Sequence, residues 1–177
     1  MTTASSLQRR ARFAALLLTA LLLVCAGAPA QGGNPQALVH RRAPEFARKD
    51  LKGQPLSLAA MRGKVVLLNF WATWCAPCQA EMPVFSAWQR QYAPQGLRIV
   101  GISMDDAPAP ARNLVAKLRV DYPVAMGDVQ LGQRYGGVLG LPLTFLIDRK
   151  GVVRAVFQGE SSLKAIEAQI QALLRER

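Results

Sequence analysis

Cys75 and Cys78 are the two residues of this chain most able to do chemistry. They stand three residues apart in Trp74-Cys75-Ala76-Pro77-Cys78, where the apolar run Val65–Phe70 gives way to a helical pattern through Glu81. Two thiols at i and i+3 on the first turn of a helix close into a small disulfide ring and open again. The helix N-terminus offers unpaired N–H groups and a partial positive charge, and both favour a thiolate. A thiolate is the attacking species in disulfide exchange, so the spacing points to redox chemistry. A zinc site shares this spacing but asks for about four ligands. One histidine, His40, and these two cysteines fall short of that, so no metal site is assigned.

Such a pair needs rigid elements on either side. Val65–Phe70 is apolar without alternation, the pattern of a central strand covered on both faces. Cys75–Tyr92 reads as the following helix, with Pro83 inside it as a kink. Leu97–Ser103 reads as a second core strand. Asp105–Pro110 reads as a loop, and Ala111–Val120 as a helix facing inward with Leu114, Val115 and Leu118. Tyr122–Ala125 suggests a short strand and Val129–Tyr135 a short helix closed by Gly136-Gly137. Thr144–Ile147 and Val152–Phe157 form a hairpin around Asp148-Arg149-Lys150-Gly151. Ser161 or Ser162 caps a final helix whose Leu163, Ile166, Ile170, Leu173 and Leu174 follow a 3.6-residue period. Pro44–Leu58 reads as a short N-terminal β-hairpin. The order βαβα, then ββα, describes an α/β domain with a mixed central sheet flanked by helices.

The N-terminus is of another kind. Arg9, Arg10 and Arg12 precede the apolar stretch Ala14–Val24, and Ala28-Pro29-Ala30 provides a small-residue end. Residues 1–30 therefore read as a secretory signal peptide cleaved before Gln31, or as an uncleaved membrane anchor. Cys25 lies inside that segment behind the bulky Val24 and is read as an apolar filler. Residues 31–43, Gly/Pro/Arg-bearing and aperiodic, read as a linker, and 44–177 as the folded domain. Export leaves two cysteines, both in one motif, and no structural disulfide framework. The net charge is +11, or +8 without the three arginines of the leader. No basic block interleaved with aromatics is present, which argues against nucleic acid as a partner and leaves a basic surface of scattered charges.

Three features together resemble the thioredoxin superfamily, and within it the exported TlpA/ResA-like branch. They are Asn69-Phe70-Trp71-Ala72-Thr73-Trp74-Cys75-Ala76-Pro77-Cys78, then Glu81-Met82-Pro83, then Gly140-Leu141-Pro142-Leu143-Thr144-Phe145-Leu146-Ile147-Asp148. The resemblance spans about Ala43 to Leu174. It implies a thioredoxin fold and a periplasmic thiol-disulfide oxidoreductase without a cofactor beyond the redox-active Cys75–Cys78 disulfide. It also implies exported disulfide-bearing proteins as substrates, in cytochrome c maturation or copper-site assembly, and a transmembrane thiol carrier as electron donor.

Within that frame Cys75, first in the helix, is the exposed nucleophile, and Cys78, one turn inward, resolves the mixed disulfide. Trp74 shields one side of the pair, while Trp71 and Trp88 are packing residues. Thioredoxin itself keeps a buried aspartate on the preceding strand as base; here that position is Asn69, which does not titrate. Glu81 lies three residues after Cys78 on the same helix face, and the resemblance moves the acid–base role to it. Pro142 is expected to be cis and to face the thiols, and the Leu141 backbone to pair with an extended substrate. Leu143 departs from the branch, where threonine or an acid is commoner, and this bears on the substrate. Ala76-Pro77 provides no charge to stabilise the thiolate, which favours a reductase over a disulfide-forming oxidase. A copper-binding assembly factor on the same fold would need a histidine ligand near the cysteines, and His40 is the one histidine available. A peroxide-reducing centre would need a lone cysteine preceded by threonine and proline, which Cys75–Cys78 does not provide.

Overall fold

The computed structural model describes residues 33–176. The segment read as signal or anchor, residues 1–30, lies outside them. A five-stranded sheet of order β5-β4-β3-β6-β7 forms the frame. Its strands are β3 (Val65–Trp71), β4 (Leu97–Ser103), β5 (Val124–Met126), β6 (Leu143–Ile147) and β7 (Val153–Gln158); β1 (Ala47–Lys49) and β2 (Pro55–Ser57) make a separate antiparallel hairpin. The helices are α1 (Ala76–Tyr92), α2 (Pro108–Lys117), α3 (Val129–Arg134) and α4 (Leu163–Arg175).

β3 sits at the centre because its sequence suits no other place: all seven residues are buried. It runs parallel to β4, with Val65 beside Leu97 and Trp71 beside Ser103, and antiparallel to β6, with Phe70 beside Leu143. Alternate residues of β3 feed two cores. Val65, Leu67 and Trp71 pack beneath α1, α2 and α4; Val66, Leu68 and Phe70 pack against the hairpin, α3 and the N-terminal segment. Phe70, Tyr135 and Phe145 form an aromatic cluster in the second core, with centroids 5.0 to 5.9 Å apart. The C-terminal ends of β3, β4 and β5 and the start of β6 therefore share one end of the sheet, and the cysteines lie there.

Three expectations are corrected. The described part of the segment read as a linker is packed on the domain. Asn34 caps a short 3-10 turn, Pro35–Leu38, through a bond from Gln36 N–H at 3.0 Å. His40 and Ala43 donate to the carbonyls of Val153 and Gly151 at 2.8 and 2.9 Å, and Ala43 is buried. Gly136 makes this docking feasible: it adopts φ 86°, and a Cβ there would lie 2.6 Å from the Pro35 backbone. Next, α2 begins at Pro108 rather than Ala111, because prolines in a first turn lack only N–H groups that have no helical partner. It also ends sooner, at Lys117, and Arg119 turns left-handed at φ 51°. The third concerns Cys75 and belongs to the site.

Candidate active site

α1 starts on Cys75, which is its N-cap: its Sγ accepts the Cys78 backbone N–H at 3.3 Å, as a capping oxygen would. Pro77 stands in the first turn, where its missing N–H costs nothing. The two sulfurs are joined in a disulfide, with the Cα atoms 5.3 Å apart. Cys75 was expected to be exposed. In this oxidised form it is 5 % exposed, because the capping geometry folds its side chain back over the helical turn and into the core cluster. Cys78 is deeper, at 1 %.

Trp74 was read as a shield. It is 73 % exposed and leaves its indole largely bare beside the disulfide. Trp71 and Trp88 are buried, as expected of packing residues. The Leu141–Pro142 peptide bond is cis, as the resemblance implies. Pro142 is buried and its carbonyl accepts from Gly159 N–H at 2.8 Å. Leu141 is half-buried, and among the described residues its N–H and C=O make no backbone hydrogen bond.

Glu81 projects from the next turn of α1 and is 5 % exposed, with Oε2 lacking a hydrogen-bond partner. Burial, reinforced by the charge of Glu160 after β7, pushes its pKa up from 4.5 to about 7. A carboxyl poised there exchanges protons readily at neutral pH. Asn69 is equally buried; its Nδ2 donates to Thr144 Oγ1 at 2.9 Å across β3 and β6. His40 lies at the other end of the sheet, bonded through its N–H to Val153 O at the start of β7. Among the described residues no three of His, Cys, Asp and Glu gather into a metal site, and no helix is long and apolar enough to cross a membrane.

One set of residues escaped the sequence reading. Asp105 clamps the loop that carries the cysteines: its Oδ1 accepts Thr73 N–H at 3.0 Å and Thr73 Oγ1–H at 2.6 Å, and its Oδ2 accepts Ser103 Oγ–H at 2.8 Å. From the other side Gln79 Nε2 donates to Thr73 O at 2.7 Å. Hydrogen bonds to a carboxylate contribute more than neutral ones, and the groups here are half-buried. Asp105→Ala is expected to lose about 2 kcal/mol of stability. Urea unfolding at constant m-value checks this; an unchanged midpoint would mean that water replaces the clamp at no cost.

The comparisons agree with this geometry. Residues 39–156 match the model of the AhpC/TSA family. The chain is 33 % identical over 135 residues to the thiol-disulfide oxidoreductase ResA of Bacillus thuringiensis, covering 76 % of this chain and 78 % of that one. It is 33 % identical to the thioredoxin-like protein YneN of Bacillus subtilis, covering 73 % and 77 %. A solved thiol:disulfide interchange protein of the thioredoxin family from Chlorobium tepidum superposes with a TM-score of 0.70 at 32 % identity, covering 75 % of this chain and 95 % of that one. A buried Cys-x-x-Cys disulfide capping a helix, a cis-proline loop and this likeness across three quarters of the chain lead to one assignment: the chain belongs to the AhpC/TSA family of thioredoxin-like proteins and is a thiol-disulfide oxidoreductase.

Proposed function

We propose that this oxidoreductase is an exported, periplasmic reductant that opens disulfides in other exported proteins. Haem-site cysteines of apocytochrome c and copper-site cysteines of oxidase assembly factors are the substrates that suit the branch it resembles. The Cys75 thiolate attacks one substrate sulfur, the substrate S–S bond breaks, and a mixed disulfide and one substrate thiolate result. Cys78 then gives its proton to Glu81, and its sulfur attacks Cys75. The Cys75–Cys78 bond forms, the mixed disulfide breaks, and the second substrate thiolate leaves and takes up a proton. Two electrons have passed from the pair to the substrate. A transmembrane thiol carrier restores them by reducing the Cys75–Cys78 disulfide, with the protein either freed by cleavage before Gln31 or held at the membrane by its N-terminal apolar segment.

The observation that carries this reading is the ionisable Glu81, buried on the helix of Cys78 with Oε2 unpartnered and its pKa raised to about 7. Resolution needs a base close to a partly buried thiol, and sites with such shifts are commonly functional. Trp74, Leu141 and Pro142 supply the substrate face: a bare indole, an unpaired backbone and the proline beside it suit an extended segment that adds as a strand.

The direction of electron flow rests on Ala76-Pro77, which places no charge beside the Cys75 thiolate. The expected midpoint potential is about −270 mV, the thioredoxin end of the range. Equilibration with dithiothreitol and glutathione buffers, followed by alkylation and mass analysis, measures it. A value above about −150 mV would make the protein a disulfide-forming oxidase instead.

A further inference from the structure

Three side chains of the core that holds the disulfide, or of the helix that carries it, each bury a polar atom without a hydrogen-bond partner. Tyr122, just before β5, is 4 % exposed, and its hydroxyl makes no hydrogen bond. Trp71, the last residue of β3, is fully buried with Nε1 unpartnered, and Glu81 Oε2 on α1 is the third. Trp71 and Tyr122 belong to the core cluster that also holds Cys75 and Cys78. Gly101 of β4 separates the two rings: a Cβ there would lie 2.9 Å from Trp71 Nε1 and 3.4 Å from Tyr122 Cε2. Glycine keeps the space beside the indole N–H free of a side chain. The Tyr122 ring also helps wall an apolar groove of about 380 Å³ with Leu51, Val115 and Val124, while its hydroxyl is sealed inside.

The chemistry of the three atoms is complementary. The indole N–H only donates, a phenol donates and accepts, and a carboxylate accepts. Buried polar groups in native proteins have partners, and an internal water makes about three hydrogen bonds to such groups. We propose that Tyr122 is a positioning residue for Glu81: one internal water accepts from Trp71 Nε1–H and Tyr122 O–H and donates to Glu81 Oε2, steadying the carboxylate that takes the Cys78 proton. The inference rests on the reading of Glu81 as the base. The proton lost by Cys78 resides on Glu81; Tyr122 and Trp71 keep theirs.

The groups acting on Glu81 come from several elements. Glu160, after β7, opposes its ionisation, as burial does. Tyr122 approaches from the α2–β5 connection, where burial holds its phenol above the ordinary range and the Glu81 and Asp121 carboxylates add to this. Cys75 and Cys78 lie on α1 itself. Against these, the bound water and its two donors favour the charged form.

Tyr122→Phe removes the hydroxyl and keeps the ring. In the full chain, the pH profile of mixed-disulfide resolution is expected to move up by about one unit, with about a tenfold loss of rate below the inflection. Glu81→Gln is run in parallel. If Glu81→Gln abolishes the inflection and Tyr122→Phe leaves it unmoved, the positioning role is overturned while the base survives. If Glu81→Gln itself changes nothing, the base reading fails and this inference with it. An infrared difference spectrum of the unaltered protein against Glu81→Gln at acid pH gives a second measure that does not depend on how Tyr122→Phe folds. A carbonyl stretch of a hydrogen-bonded acid supports the shared water; that of an isolated acid in apolar surroundings overturns it.

Discussion

A Cys78→Ser variant is expected to stop catalytic turnover altogether while accumulating disulfide-linked adducts on Cys75. The first half of the reaction needs only Cys75, which sits at the positive end of α1 and retains its capping position. The second half needs a thiol held against the mixed disulfide. Cys78 supplies one from the same helical turn, its Cα 5.3 Å from that of Cys75. Well-oriented intramolecular partners act at effective concentrations of roughly 10⁵ M or more, which an external thiol at millimolar concentration does not approach. The adduct therefore persists until dithiothreitol is added. Cys75→Ser should lose both turnover and adducts, because Cys78 is the deeper of the two sulfurs. Non-reducing gels and mass analysis of captured partners read the first variant; a coupled disulfide-reduction assay reads both. Adducts on Cys78 in the Cys75→Ser protein, at the level seen on Cys75 in the other, would reverse the assigned roles.

The redox pair and the strand before it were legible because each is written in adjacent residues, and the cis-proline loop was legible through the family resemblance of Gly140–Asp148. A run such as Val65–Phe70 declares its burial, and Cys-Ala-Pro-Cys declares its helix start. The Asp105 clamp was not, because it depends on register. Trp71 lies beside Ser103 in parallel strands, so the residues two further on, Thr73 and Asp105, meet beyond the sheet. Nothing in either local sequence announces that neighbour. The segment 33–43 looked like a linker for a similar reason: its hydrogen-bond partners, Gly151, Val153 and Val156, are more than a hundred residues away. Glu81 was legible by half. Helical spacing put it on the face of Cys78, but its burial comes from a core assembled by distant strands. Tyr122 gave no signal at all, since a tyrosine beside a short strand is ordinary until its hydroxyl is found enclosed.

That enclosure gives Glu81→Gln two opposed effects. Folded, the Glu81 carboxyl titrates near 7; unfolded, near 4.5. Between those values the folded chain binds more protons than the unfolded one, so stability falls as pH rises through the window. Below 4.5 both states are protonated and the contribution is whole; above 7 it is gone. The full span corresponds to about 3 kcal/mol. Glutamine imitates the neutral acid and has nothing to ionise. The oxidised Glu81→Gln protein is therefore expected to match the parent at pH 4 and to exceed it by about 3 kcal/mol at pH 8. Urea titrations of both proteins at pH 4, 6 and 8 measure the difference. Activity should move the other way. Without a base, resolution at neutral pH is expected to slow by about 10²-fold, the lower end of what a positioned acid–base group contributes, and the rate should lose its rise near pH 7. On the proposed reading, the carboxylate that costs stability at the working pH is the one the reaction uses. Parallel stability curves together with equal rates would show that Glu81 is neither strained nor used.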